Sequence, residues 1–151
     1  MSHFLSHRTG NTAKISLAVL MLLCGSGIYL LFRSKTLNIY IWCASLGFSD
    51  EIDSLRYAVN DWSIPEFIKF SLPDGLYCAA YILIMDSIWQ KESGWKKYAV
   101  VLSVPLFTIS TEILQYFGLV KGTFDVYDLL CYSIPPLIYV LFNHNLLKFN
   151  N

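Results

Sequence analysis

Long apolar stretches alternate with short charged ones along this chain. The first runs from Ile15 to Phe32, between Lys14 and the pair Arg33 and Lys35. Its 18 residues rise about 27 Å as a helix, close to the hydrocarbon thickness of a bilayer. The run is long for the apolar part of a signal peptide. No small-x-small cleavage site leading into a polar segment follows it, so a retained transmembrane helix over 15–32 is expected. Gly25, Ser26 and Gly27 form a small-residue patch that a second helix could approach closely.

Residues 36–73 have a different texture. Thr36 to Phe48 is apolar but, at 13 residues, too short to span. Beyond it, Ile52, Leu55, Tyr57, Ala58 and Val59 approximate a helical stripe, with Asp50, Glu51, Asp53 and Arg56 opposite. Ser49 or Asp50 is a candidate cap for that helix. Asp61 to Pro65 reads as a break, with Ile64 held extended before the proline. This connection suits either an amphipathic element lying on the membrane or an extramembrane loop that covers the bundle.

Three more apolar runs follow, at 76–89, 98–117 and 124–146, with Pro105 in the second of them and Pro135 and Pro136 in the third. A mid-helix proline removes a backbone donor and kinks the helix. The pattern therefore predicts an all-α, polytopic membrane bundle of one domain over 1–151, with about four transmembrane helices and an amphipathic connection after the first.

Composition agrees. Hydrophobic residues make up 55% of the 151 positions and charged residues 15%, and mean hydropathy is +0.48. That excludes a disordered chain and argues against a small soluble domain, which has too much surface to hide so much apolar side chain. Eleven basic residues balance eleven acidic ones, so no nucleic-acid partner is expected. Cys24, Cys43, Cys78 and Cys131 lie in apolar runs with no CxxC, and His3, His7 and His144 lack partners at metal spacing. The cysteines read as small buried apolar residues, and neither a metal nor a cofactor is expected. With the N-terminus inside, six basic residues (Arg8, Lys14, Lys91, Lys96, Lys97, Lys148) face five across the membrane. The close Lys91, Lys96 and Lys97 cluster gives that orientation its preference.

Ionisable groups inside apolar runs carry the chemistry, because each is costly there. Glu112 lies inside the third run, with Gln115 on the same helical face and Thr108 and Thr111 flanking. Asp125 and Asp128 share one face at the start of the fourth run, and Asp74 opens the second. The third run ends where the fourth begins, and the second begins on that side too. Asp74, Glu112, Gln115, Asp125 and Asp128 should therefore converge at one membrane face, near Tyr116, Tyr127 and Tyr132. Such a cluster can exchange protons, hold a cation or grip a polar headgroup. Structural roles stand beside these: a turn or cap at Asp74, a helix cap at Asp125, an interhelical hydrogen bond at Gln115. Asp86 is expected to reach the opposite interface or to pair with Lys91, and the four tryptophans to anchor at interfaces.

Glu112-x-x-Gln115, a turn with Gly122-Thr123-x-Asp125, and then Asp128 resemble the VanZ-like family of small bacterial membrane proteins. Leu72-Pro73-Asp74 is similar to that family's earlier acidic motif, and the likeness covers about 70–140. The chain departs from it in having Gly75 and Cys78 where the family often has Lys and His, which leaves no histidine base there. Lys121 or Gly122 stands near the place of a common loop arginine. The resemblance implies a bacterial cytoplasmic-membrane protein of the cell envelope, in a family whose named member is linked to glycopeptide (teicoplanin) resistance. Its acidic face would bind a polar or cationic envelope component, such as a lipid-linked precursor, or a glycopeptide. Two other readings remain open. One is a membrane-embedded enzyme in which Glu112 moves a proton and Asp125 and Asp128 hold a divalent metal. The other is a non-catalytic subunit of another membrane protein, docked through the Gly25 to Gly27 patch and the amphipathic connection.

Overall fold

A computed structural model of the chain describes residues 2–92 and 94–143, with side chains from Gly10 onward. The side chains of His3, His7 and Arg8, together with His144, Lys148 and the expected helix end at Leu146, lie outside what it describes. Among the described residues the fold is all-helical: α1 (Ser2–Phe32), α2 (Asn38–Ser45), α3 (Ser49–Ala58), α4 (Glu66–Phe70), α5 (Leu72–Ile88), α6 (Trp95–Val101), α7 (Ser103–Tyr116) and α8 (Val126–Asn143).

Two of these helices are long and apolar enough to cross a membrane, Gly10–Phe32 and Val126–Asn143. The pair α6 and α7 makes a third if it is taken as one span bent by 54°. These helices mark a membrane protein. The expected second span, 76–89, falls on α5, which starts four residues earlier and carries Asp74 in its first turn. Its Pro73 sits in the first turn, where the missing N–H has no intrahelical role. Large apolar side chains face outward from the long helices, among them Leu20 and Leu23 on α1, Phe107 on α7 and Leu141 and Phe142 on α8.

The connection folds as three short helices. α3 follows the expected stripe, but of its apolar residues only Ile52 is buried, and neither Ser49 nor Asp50 caps it. The N-cap position is Phe48, which has no side-chain acceptor to offer. Arg56, expected on the polar outer face, instead donates to Leu30 O at 2.6 Å and Arg33 O at 2.9 Å. These carbonyls, one in the last turn of α1 and one just past its end, sit where helix carbonyls lack partners in their own helix and attract a cation. Beside this clasp, Lys35 pairs with Asp53 at 2.6 Å and Tyr40 donates to the same carboxylate at 3.0 Å.

Four legs run between the two ends of the fold: α1, α5, the α6 and α7 pair, and α8. Lys14 near the start of the apolar part of α1, Asp86 near the end of α5, Lys97 on α6 and Asn143 at the end of α8 share one end. The other end gathers the close of α1, the start of α5, the close of α7 and the start of α8. The close small-residue approach is realised within the chain. A Cβ on Gly25 would lie 2.9 Å from the Tyr77 ring, and Ser26 Oγ is 3.2 Å from Tyr77 Oη, so α5 fills that part of the patch. Gly27 stays open. Cys78, Ile82, Tyr98, Val101 and Tyr139 form the buried centre. Of the four cysteines only Cys78 is buried; Cys24 is exposed on the outer face of α1, because it lies away from α5.

The prolines act as expected and leave consequences that the packing absorbs. Pro105 cannot donate to Val101 O, and the leg breaks at Leu102. Val100 O, near the break, accepts from Tyr81 Oη at 3.0 Å and Ser103 Oγ at 2.8 Å. Pro135 and Pro136 likewise deprive Cys131 O and Tyr132 O of donors inside α8. Both carbonyls face α5. The Cys78 thiol donates to Tyr132 O at 3.7 Å, and a Cβ on Gly75 would lie 3.1 Å from Cys131 O.

Candidate functional site

Asp74, Glu112, Asp125 and Asp128 reach the same end of the fold from three helices and the turn between two of them, within electrostatic range of Glu112. α5 brings Asp74 there in its first turn. Glu112 sits in the penultimate turn of α7 and is buried, at 6% exposure. Its Oε2 lies 3.5 Å from the Asp125 backbone N–H, just ahead of α8. The ion pairs found among the described residues involve Asp53 and Asp86 and none of these four. One oxygen of Asp128 is buried with no hydrogen-bond partner among the described residues.

Not every member of the set plays the same part. Asp125 takes the capping role: its Oδ1 accepts from Tyr127 N–H at 2.8 Å and its carbonyl accepts from Leu129 N–H at 3.1 Å, which closes the first turn of α8. Gln115 lies against Gly122, where a Cβ would clash with its amide, 2.5 Å from Nε2. Gly122 holds φ at 145°, so this turn needs glycine for both conformation and space. Gln115 thus braces the α7 to α8 turn. Thr108 and Thr111 donate back to Pro105 O and Thr108 O, which satisfies their hydroxyls within α7.

Several residues at this end escape the sequence pattern. Tyr29 donates to Asp74 Oδ1 at 2.6 Å, and its ring stacks on Tyr77 with centroids 5.7 Å apart. Tyr132 on α8 lies within electrostatic range of Asp74. Arg33 lies near Asp74, its guanidinium 4.8 Å from the Tyr29 ring centre and 4.9 Å from that of Phe70. Tyr29 and Phe70 belong to α1 and α4 and Arg33 lies just past α1, so only the packing of α1 on α5 brings these three in, whereas Tyr132 is already expected at this end. Tyr127 stacks on Phe67, and Tyr116 packs edge-on against Phe124. The site is a carboxylate cluster walled by tyrosines with one guanidinium at its rim. Chemically it can accept hydrogen bonds or bind positive charge. No group of three or more His, Cys, Asp or Glu among the described residues is placed to hold a metal ion.

The opposite end corrects the expectation for Asp86. It does not pair with Lys91. It is buried, at 4% exposure, and its carboxylate meets Lys97 at 2.6 Å, Lys14, and Tyr139 Oη at 2.9 Å. Lys97 is buried with it. The cause is the turn after α5, which leads α6 back along α5 so that Lys97 comes down beside Asp86 while Lys91 stays on the turn. The sequence held a signal for this: Lys14, Asp86 and Lys97 all fall on one side of a four-leg bundle, and Asp86 lies inside an apolar run. Comparison of the chain with protein-family models, with curated proteins and with solved structures gives no match.

Proposed function

We propose that this is a VanZ-like protein of the bacterial cytoplasmic membrane. In this reading α1, α5, the bent α6 and α7 leg, and α8 each cross the bilayer, with the N-terminus inside. Its acidic end binds a polar or cationic group of an envelope component, either a lipid-linked precursor or a glycopeptide. The supporting observation is the gathering of Asp74, Glu112, Asp125 and Asp128 with none of them in an ion pair found among the described residues. A buried, uncompensated carboxylate at membrane depth is expensive, so a ligand that brings positive charge or hydrogen-bond donors gains what the protein forgoes. Asp74, Glu112 and Asp128 are the contacting groups; Asp125 and Gln115 hold the turn that presents them.

Teicoplanin titrated into the protein in lipid nanodiscs, followed by calorimetry, tests this. Wild type gives a saturable signal. Glu112→Gln, Asp74→Asn and Asp128→Asn lose it while melting at an unchanged or higher temperature, as expected when a group is held for binding at a cost to stability. Saturable binding that survives alanine at all five polar positions overturns the reading. A clear fall in melting temperature for Glu112→Gln assigns that carboxylate to holding the helices together.

A further inference from the structure

α1 and α8 both pack on α5, and between them an apolar groove of about 580 Å³ runs along α5. Its walls are Leu17 and Met21 on one side and Ile134 and Ile138 on the other, with Ala79 and Leu83 as the floor. From Leu72 to Asp86 the groove follows α5 for about 21 Å at the helical rise, longer than the roughly 15 Å of one leaflet's hydrocarbon. Polarity is confined to one end, where Lys14, Asp86, Tyr139 and Asn143 form the rim.

Charge at that rim does not balance. Lys14 and Lys97 share one carboxylate, Asp86. Lys97 is buried behind it, whereas the Lys14 side chain is 46% exposed. The combination of a long apolar slot with a surplus cation at its mouth matches one kind of molecule. We propose that the groove holds one acyl chain of an anionic phospholipid, with the headgroup phosphate on the Lys14 ammonium. The site lies at the opposite end from the carboxylate cluster and is independent of what that cluster binds. A lysine near an anionic headgroup gains electrostatic attraction, and the acyl chain adds burial against both helices.

Native mass spectrometry of the full chain released from detergent tests the assignment, with dioleoyl phosphatidylglycerol and dioleoyl phosphatidylcholine as probes. The wild type is expected to keep one phosphatidylglycerol per chain at activation energies that strip phosphatidylcholine. Lys14→Gln should weaken phosphatidylglycerol retention about fivefold, the effect of one lysine at a lipid phosphate. Ala79→Leu, which fills the floor of the groove and leaves the charges alone, should weaken both lipids. Lys121→Gln, at the far end, should change neither. Equal retention of the two lipids by wild type overturns the proposal, as does retention of phosphatidylglycerol unchanged in both Lys14→Gln and Ala79→Leu. A dimer that excludes lipid would assign the groove to a second copy instead.

Discussion

At the scale of single residues, the clearest division is between charges that are matched and charges that are not. Lys35 and Asp53 are matched and lie outside the long helices. The hydrogen bond from Lys35 holds the Asp53 carboxyl below its usual range, and the same bond raises the Lys35 ammonium. A lowered carboxyl favours the fold above its unfolded value of about 3.9 and loses that contribution as pH falls through its folded value. A raised lysine contributes below its ordinary value and loses it as pH rises through the folded one. The α3 corner is thus tightest between those limits. Hydrogen exchange of α3 amides, corrected for intrinsic rates, should accelerate on acidification below about pH 4. Asp53→Asn should show the faster exchange already at neutral pH and little further change in acid. Identical profiles for the two proteins would mean that Arg56 alone holds the corner. None of this pairing was legible in the sequence. A lysine at the end of one helix and an aspartate 18 positions on share no periodic face, and only the turn through α2 joins them.

At the scale of elements, the seam between α5 and α8 is the most specific contact. Gly75 is there because Cys131 is close: a Cβ would lie 3.0 Å from Cys131 Cβ. Gly75→Val forces the two helices apart and should destabilise the protein by about 1–3 kcal/mol, the usual cost of overpacking. Gly27→Ala, with nothing within 4 Å of the added carbon, should leave the melting temperature unchanged or raise it. Similar melting of the two variants would show that the seam has room to give. The Asp74, Glu112, Asp125 and Asp128 convergence was readable because it follows from helix order alone. Where the bend falls was half readable: Pro105 announces it, but the break lies at Leu102, next to the Val101 carbonyl that the proline leaves without a donor. Which hydroxyls cover the carbonyls left at that break, Tyr81 and Ser103, depends on how α5 is rotated, and an apolar pattern does not set that rotation.

For the molecule as a whole, the number of membrane crossings decides which surfaces meet which solution. Two helices pass on length and composition, and the bent pair makes a third. α5, at 17 residues, is shorter than either of the two, yet α1 and α8 both pack on it. If all four legs cross with the N-terminus inside, Lys91 and Lys121 lie on opposite sides. In a background lacking the four native cysteines, Lys121→Cys in sealed right-side-out vesicles should react with a membrane-impermeant maleimide. Lys91→Cys should react only after permeabilisation. If only α1 and α8 cross, both positions label from outside.

The paired prolines of α8 bear on how such a protein is made. A lone helix entering hydrocarbon with the Cys131 and Tyr132 carbonyls bare would meet no water to cover them. The thiol of Cys78 and the notch at Gly75 exist only on α5, which is synthesised earlier. The last leg is therefore a conditional one. If α5 and α8 both cross, α8 is expected to settle in the bilayer against α5, and the acidic end becomes complete when the two dock.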